Sequence, residues 1–194
     1  MYQLSFKNIS STFVTNCFIR AFEPYKALHH HEIVVQKRSI TSSTMRAQPI
    51  IDRFFWNKSK RRYKIEISSH AKLEAHIRID VLPEEVLIGW FAHELGHIMD
   101  YLDRGVWSMI RFGIGYQNFN TFRIGAERKA DIYAIEHGFA RHILETKKYI
   151  LEHSSLPDVY KSRIERYYMS PKEVLLLVDQ NNSDEDLDMD KLFG

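Results

Sequence analysis

Two stretches in the first half of the chain alternate apolar and polar residues with the period of a β-strand. Residues 62–69, RYKIEISS, place Tyr63, Ile65 and Ile67 on one face and polar residues on the other. Residues 75–82, AHIRIDVL, repeat this alternation. Because successive side chains of a strand point to opposite faces, both stretches predict half-buried strands, joined as a hairpin.

The rest of this half predicts short helices and one further strand. Residues 10–30 combine apolar and polar positions at near-helical spacing and predict one or two short helices. Residues 32–40, EIVVQKRSI, predict a strand, whereas the polar residues 41–49 are predicted to be irregular.

Residues 83–103 predict a long buried helix. Pro83 suits the first helical position, the acids Glu84 and Glu85 favour the helix dipole in the first turn, and Gly105 lies just past the predicted end. Apolar residues surround most of the circumference: Val86, Leu87, Ile88, Trp90, Phe91, Leu95, Ile98, Met99 and Leu102. A helix of this kind is normally buried.

The second half of the chain is predicted to be helical up to an acidic tail. Residues 106–120 are interrupted by Gly113 and Gly115 and predict a short helix followed by a loop. A second long helix begins near Asn120 or Thr121 and is bent or divided at Gly138. A capping-box pattern, Ser-Pro-Lys-Glu, precedes a last helix at about 171–181. Residues 183–194 are acidic and poor in apolar residues, so we predict that this tail is disordered.

Composition limits the class of protein. The 194 residues suffice for one domain, predicted over residues 1–182, and strands followed by helices indicate an α+β fold. The formal charge of +2 gives no strong electrostatic case for nucleic acid or membrane binding. Cys17 is the one cysteine, which excludes an internal disulfide and favours a reducing compartment. With no signal-peptide pattern and no apolar stretch of roughly 20 residues, we expect a soluble cytoplasmic protein without a membrane span.

The segment HELGH in the long helix has the spacing of a catalytic metal-binding motif. His93 and His97 share one helical face, where both imidazoles can bind a single zinc ion. Glu94 points to the side, where as general base it can take a proton from a metal-bound water and pass it to a leaving amine. Surface histidines would be the plain alternative, but the apolar surroundings argue against it because buried polar groups need partners.

Two acids on the later helix complete the predicted site. A catalytic zinc ion usually has three protein ligands and one open position. If Glu127 is the third ligand, Asp131 lies one turn further on and can accept a hydrogen bond from the outer nitrogen of a ligand histidine. Alone, these acids would indicate a solvated charged face beside Arg128 and Lys129; the HELGH helix reverses that preference.

HELGH followed by Glu-x-x-x-Asp resembles the gluzincin metallopeptidases. AERKADIYAIEHGF resembles, more narrowly, the third-ligand helix of the CAAX-prenyl and heat-shock membrane proteases and their soluble relatives, the minigluzincins. The resemblance covers roughly residues 62–140, and the lack of transmembrane helices favours the minigluzincins. It implies a small antiparallel sheet, packed on the active-site helix and the following helical region, whose edge strand holds an extended peptide. It implies three zinc ligands, a general base and a carboxylate that orients a ligand, which are His93, His97, Glu127, Glu94 and Asp131.

The residue that would help to stabilise the oxyanion stays open among four candidates. Many relatives use such a further donor, and Tyr101, Tyr116, His137 and His142 are all compatible with the role. The sequence does not choose among them.

Other polar segments favour ordinary interpretations. Three consecutive histidines at 29–31 point in different directions, which favours exposed polar residues over a second metal site. Residues 57–64, NKSKRRYK, could meet nucleic acid phosphates beside Trp56, but a solvated loop is the preferred interpretation. The acidic tail is interpreted as solubilising, with docking into the cleft as the alternative hypothesis.

The leading prediction is a zinc metallopeptidase that hydrolyses peptide or protein substrates. One alternative is a regulatory protease of the ImmA/IrrE type, which would act on a single protein partner and cleave no general peptide library. Another is a non-enzymatic zinc-containing binding domain, in which a fourth protein ligand would close the zinc site. Nothing in the sequence indicates an oligomeric state.

Overall fold

The computed structural model describes residues 2–40, 43–53, 55–68, 79–152 and 158–180. These residues form a small sheet and a set of helices packed against it, which confirms the α+β fold class. Within these ranges every helix is too short or too polar to cross a membrane.

The described elements follow one another along the chain. The strands are β1 (Leu4–Lys7), β2 (Ile33–Arg38), β3 (Met45–Pro49) and β4 (Tyr63–Ser68). The α-helices are α1 (Thr12–Phe22), α2 (Glu84–Asp103), α3 (Val106–Asn118), α4 (Asn120–Ala134), α5 (Ala140–Glu152), α6 (Asp158–Tyr167) and α7 (residues 171–180). Short 3-10 helices occupy Lys26–Leu28, Lys58–Lys60 and Ile79–Val81. The two predicted long helices are therefore confirmed as α2 and α4. The loop predicted after the short helix is wrong, because α3 continues to Asn118.

The sheet has the strand order β1-β2-β4-β3. β1 pairs with β2 and β2 pairs with β4 in parallel, whereas β3 runs antiparallel to β4 at the edge. The expectation of an antiparallel sheet is therefore wrong for two of the three pairings. Parallel neighbours need a long connection, and α1 lies between β1 and β2 while β3 lies between β2 and β4. Side chains alternate in the same way in both kinds of sheet, so the pattern did not distinguish them.

The predicted hairpin does not form where the structure describes it. Residues 69–78, which include the first half of the predicted second strand, lie outside the described residues. The remaining part, Ile79–Val81, is a 3-10 helix and not a strand. Ile79 is buried and Val81 is exposed, so one apolar–polar alternation fits either conformation.

The edge strand β3 occupies a segment that was predicted to be irregular, and that prediction is wrong. The Ser68 N–H of β4 donates to the Thr44 carbonyl, and the Ile50 N–H donates to the Arg62 carbonyl just before β4, at 2.8 Å each. Because backbone groups alternate in direction along a strand, those of Met45, Ala47 and Pro49 point away from β4. A proline is tolerated there because no hydrogen bond of the sheet needs its missing N–H. The buried Met45 and Ala47 side chains supply the apolar face.

A buried arginine fastens the end of α2 to the sheet. Arg61 precedes β4 and is 2% exposed. Its Nε donates to the carbonyl of Phe55 at 3.0 Å, and its Nη1 donates to the carbonyl of Arg104 at 2.6 Å. The last carbonyls of a helix lack partners within the helix. Arg61 therefore satisfies the C-terminal end of α2 and holds that end beside β4.

The second long helix is divided at Gly138, as predicted. Residues Ile135–Phe139 form a π-type turn in which Gly138 has a φ of 87°, a conformation that side chains with a Cβ rarely adopt. Beyond the turn α5 packs against α2. Gly89 permits this approach, since a Cβ there would lie 2.4 Å from the carbonyl oxygen of His142.

The predicted capping box also forms ahead of α7. The Ser170 N–H donates to Glu173 Oε2 at 2.8 Å, and the Glu173 N–H donates to Ser170 Oγ at 3.3 Å. The predicted acidic tail, residues 183–194, lies outside the described residues.

Candidate metal centre

The two histidines of HELGH lie on the buried face of α2. His93 and His97 are separated by one helical turn, and each is nearly inaccessible to solvent, at 5% and 6% exposed. Their ring centroids are 4.8 Å apart with the ring planes nearly perpendicular. Burial of two imidazoles needs compensating polar partners, which α4 supplies.

Gly96, inside the motif, lets α4 approach α2 closely enough to supply them. A Cβ at this position would lie 2.3 Å from the carbonyl oxygen of Ala130, far inside ordinary contact. The two backbones therefore touch directly at this point. Glu127 and Asp131 flank Ala130 on α4 and are brought against the imidazoles by this contact.

Three ligand atoms converge at the contact between α2 and α4. Glu127 Oε2 lies 3.0 Å from His93 Nε2 and 3.3 Å from His97 Nε2. The three residues offer ligand atoms within 4.8 Å of one another, and all three are buried. The structure thus brings together the three residues predicted as ligands, and this group could hold a metal ion.

The spacing of these atoms fits a small divalent cation. Ligands at about 2.0–2.1 Å from a tetrahedral zinc ion are separated from one another by roughly 3.3 Å. The two nitrogen–oxygen distances, 3.0 and 3.3 Å, agree with that value. Two imidazoles and one carboxylate are also suitable donors for zinc.

Asp131 lies one turn beyond Glu127 and contacts the outer nitrogen of the first histidine. Its Oδ1 is 2.9 Å from His93 Nδ1. Its Oδ2 accepts hydrogen bonds from Lys147 Nζ at 2.7 Å and from the Met169 backbone N–H at 3.1 Å. The predicted contact between Asp131 and a ligand histidine is therefore present, with His93 as the histidine.

Sequence reasoning missed Lys147 and Met169, although Lys147 carries a signal. The buried residues of α5 are Ile143, Thr146, Lys147 and Ile150, which follow the spacing of one helical face. A lysine within such a face indicates a buried partner, because a buried ammonium needs a counter-charge. Met169 acts through its backbone N–H, so its side-chain type gives no signal.

Glu94 lies beside the ligand histidines with one carboxylate oxygen unused. It is buried, and its Oε2 has no hydrogen-bond partner among the described residues. Burial raises the pKa of Glu94 above its usual range, and the imidazoles of His97 and His93 oppose that rise. The backbone of Ala47 in β3 also lowers the pKa of this carboxylate. This is the placement that a general base next to a bound metal requires.

The two histidines and the two carboxylates shift one another's pKa values. Burial alone would lower the pKa of His93, but hydrogen bonds to Asp131 and Glu127 raise this pKa from 6.5 to about 10. Burial alone would raise the pKa of Glu127, but the imidazoles of His97 and His93 bring this pKa well below its usual range. These shifts show that the carboxylates favour positive charge at this position.

Among the four candidates for oxyanion stabilisation, Tyr116 forms a hydrogen bond with the ligand cluster, and Tyr101 stacks on His97 with ring centroids 6.3 Å apart. The Tyr116 hydroxyl donates to Glu127 Oε1. The Tyr101 hydroxyl instead donates to the Ala47 carbonyl at 3.2 Å. His137 stacks on Tyr25 at 4.1 Å between centroids.

The fourth candidate, His142, pairs with a carboxylate outside the ligand cluster. His142 Nε2 lies 2.8 Å from Glu85 Oε2, near the start of α2.

Tyr116 bonds to only one carboxylate oxygen of Glu127, Oε1. The other oxygen, Oε2, therefore remains available to the two imidazoles.

A cavity opens next to His93 and Glu94. It lies between β3, α2, α5 and α6 and is partly open to solvent. Much of its wall is apolar, formed by Met45, Trp90, Ile143, Ile150 and Ile164. Thr44, Lys147 and Arg163 add polar groups. An apolar wall with a few polar groups suits a side chain of a bound peptide.

Three of the five basic residues in segment 57–64 are buried or paired with acids, whereas Lys58 and Lys60 are exposed. Arg61 is buried against the end of α2, Arg62 pairs with Glu32 and Asp52, and Lys64 contacts Glu66 at 2.8 Å. These pairings support the preference for an ordinary loop and strand over a nucleic acid site.

The histidines at 29–31 do not converge on a common point. His29 Nε2 contacts the Glu23 carbonyl at 3.1 Å, and His31 Nδ1 contacts the Arg61 carbonyl at 3.0 Å. Both contacts are with backbone oxygens, as expected for polar residues near the ends of structural elements.

Comparison of the chain with protein-family models, with curated proteins and with solved structures found no match. The functional argument therefore depends on the geometry of the centre and on the residue pattern that forms it.

Proposed function

We propose that this protein is a zinc-dependent metallopeptidase whose zinc ligands are His93, His97 and Glu127. One observation carries the proposal. Two imidazole nitrogens and one carboxylate oxygen converge in a buried site, and the unpartnered oxygen of Glu94 lies beside them. Two histidines and one glutamate form a ligand set that is used by catalytic zinc peptidases.

Each nearby side chain has a defined task in this proposal. A bound zinc ion would supply a Lewis acid that polarises a peptide carbonyl and makes water acidic at neutral pH. Glu94 accepts a proton from the attacking water and donates it to the leaving amine. Asp131 orients the His93 ring by accepting its Nδ1–H, and Tyr116 holds Glu127 through Oε1.

The number of ligands favours a catalytic over a structural zinc site. Structural zinc is usually closed by four protein ligands, whereas catalytic zinc keeps one position open. In the part of the chain that the structure describes, no fourth histidine, cysteine or acid joins the group. This supports a peptidase over a non-enzymatic zinc-containing domain. The pattern Glu127-x-x-x-Asp131 supports the gluzincin type within that class.

A peptide substrate would lie between β3 and α2. The residue that carries the leaving amine belongs on the Glu94 side, where the cavity opens. The outward carbonyl of Ala47 in β3 already accepts a hydrogen bond from the Tyr101 hydroxyl at 3.2 Å. A peptide that adds to the edge of β3 must therefore replace that hydrogen bond.

The test replaces Glu94 by glutamine, which keeps the shape of the side chain and removes its basicity. We expect Glu94→Gln to bind one equivalent of zinc and to lose at least about 100-fold in cleavage rate of a mixed peptide library. Glu165→Gln, on the exposed face of α6, is the matched control and should cleave like the parent. Cleavage by Glu94→Gln at the parent rate would refute the assignment.

A further inference from the structure

Lys147 is a buried cation outside the ligand set. It lies on α5, 16 residues along the chain from Asp131, and is 4% exposed. Its Nζ is 2.7 Å from Asp131 Oδ2. Lysine is almost never fully buried unless it is paired, so this contact compensates the cost of burial.

The two oxygens of Asp131 have separate partners. Oδ1 faces His93 Nδ1 at 2.9 Å, while Oδ2 accepts from Lys147 Nζ and from the Met169 N–H at 3.1 Å. Two donors on one oxygen fix the rotation of the carboxylate. The other oxygen is thereby presented to the histidine in one orientation.

We propose that Lys147 is a positioning residue for the metal centre, which fixes Asp131 and through it the ring orientation and Nδ1–H tautomer of His93. The inference rests on the proposed zinc site. It extends the arrangement beyond the ligands to a chain of contacts from Lys147 through Asp131 and His93 to Glu127. An imidazole held with its proton on Nδ1 directs the free electron pair of Nε2 towards the metal.

Charge balance supports this role. Lys147 places a positive charge 2.7 Å from Asp131 Oδ2, on the side of the carboxylate away from His93. An opposite charge at this distance compensates the cost of burying the Asp131 carboxylate beside the proposed metal site.

Tyr168 links the lysine to the histidine from a third side. Lys147 Nζ lies 5.1 Å from the centre of the Tyr168 ring, and the His93 ring centroid lies 5.2 Å from the same ring. The residue after it, Met169, supplies the N–H that bonds to Asp131. The turn between α6 and α7 therefore covers the contact between lysine and aspartate and limits its exposure to water.

The experiment measures metal binding in the full chain and does not depend on catalysis. The variants are Lys147→Met, Asp131→Asn and the double variant, with Lys148→Met as a matched control because Lys148 is the exposed neighbour. Zinc dissociation constants are obtained by competition with a chromophoric chelator. The visible d–d bands of the cobalt-substituted protein report ligand geometry, and thermal unfolding is measured in parallel.

We expect Lys147→Met to raise the zinc dissociation constant by about 10- to 100-fold, the range for loss of a residue that orients a ligand, and to shift the cobalt bands. Asp131→Asn should have a similar effect, and the double variant should be no weaker than Asp131→Asn, because Lys147 acts through Asp131. Lys148→Met should match the parent. If Lys147→Met does not fold, Lys147→Leu, which also lacks a donor, takes its place with the same expected rise in the zinc dissociation constant.

Two results would overturn the inference. A lower unfolding temperature for the Lys147 variant, with unchanged zinc affinity and cobalt bands, would reduce the lysine to a structural ion pair. Effects of Lys147→Met and Asp131→Asn that multiply in the double variant would show that Lys147 acts independently of Asp131. A parent protein that binds no zinc would instead refute the proposed function itself, and this inference with it.

Discussion

Replacement of Gly96 by alanine tests whether close packing of two helices assembles the metal centre. The added Cβ would lie 2.3 Å from the Ala130 carbonyl oxygen and 3.0 Å from both its carbonyl carbon and its Cα. All three are backbone atoms, so no side chain can rotate to make room. Ordinary contact needs about 3.4 Å or more, which requires α4 to move away from α2 by on the order of 1 Å.

Two opposing effects set the stability of Gly96→Ala. Alanine favours the helix over glycine by about 1 kcal/mol, whereas overpacking of a close contact costs about 1–3 kcal/mol. We expect a net loss of up to about 2 kcal/mol in the free energy of unfolding. The displacement also separates Glu127 and Asp131 from the imidazoles, so the zinc dissociation constant should rise at least about 10-fold.

The measurements are chelator competition for zinc affinity and thermal unfolding for stability. Gly113→Ala is the matched control, because Gly113 lies in α3 and an added Cβ there would meet no atom within 4 Å. That control should keep the parent affinity and gain up to about 1 kcal/mol in stability. A Gly96→Ala protein with parent zinc affinity and an equal or higher unfolding temperature would show that the contact with Ala130 does not hold the centre together.

Three further predictions concern single side chains. Glu127→Ala should abolish stoichiometric zinc binding, measured by metal analysis of the purified protein; full retention would remove Glu127 as a ligand. Tyr116→Phe leaves Glu127 Oε1 without its donor, so zinc should remain at one equivalent with a dissociation constant about tenfold higher, by competition titration; an unchanged value would show that the hydroxyl does not support the ligand. Burial alone would raise the pKa of Glu66, but hydrogen bonds from Lys64 and Arg46 lower this pKa from 4.5 to about 2. The lowered pKa stabilises the folded state by on the order of 3 kcal/mol above pH 4.5, and this contribution is lost as the pH falls towards 2. In denaturant unfolding, the stability of Glu66→Gln should therefore depend less on pH in that range than the stability of the parent does.

The local part of the site could be predicted because it depends on helix geometry alone. His93, Glu94 and His97 lie on one continuous helix, so their relative positions follow from 3.6 residues per turn and from the apolar residues around them. The same holds for Glu127 and Asp131 on α4. The pattern also indicated the break at Gly138, since glycine adopts positive φ angles that other residues rarely adopt.

Pairing between strands could not be predicted in the same way. Alternation along 62–69 and 32–40 indicates strands but is identical for parallel and antiparallel neighbours, so the pairing of β2 with β4 depended on contacts distant in sequence. The strand at Met45–Pro49 is short and polar on one face. Its conformation is stabilised by β4 on one side and by the Tyr101 hydroxyl on the other.

The sequence alone places each pair of predicted site residues on its own helix, but it does not bring the two helices together. That step depends on the missing side chain at Gly96, which allows two backbones to touch and sets the distance from Glu127 to both imidazoles. The role of Lys147 depends in turn on how α5 packs against α2 after the turn at Gly138. Helical periodicity acts over a few residues and can be read along the chain, whereas contacts between elements far apart in the chain exist only once the whole core has packed.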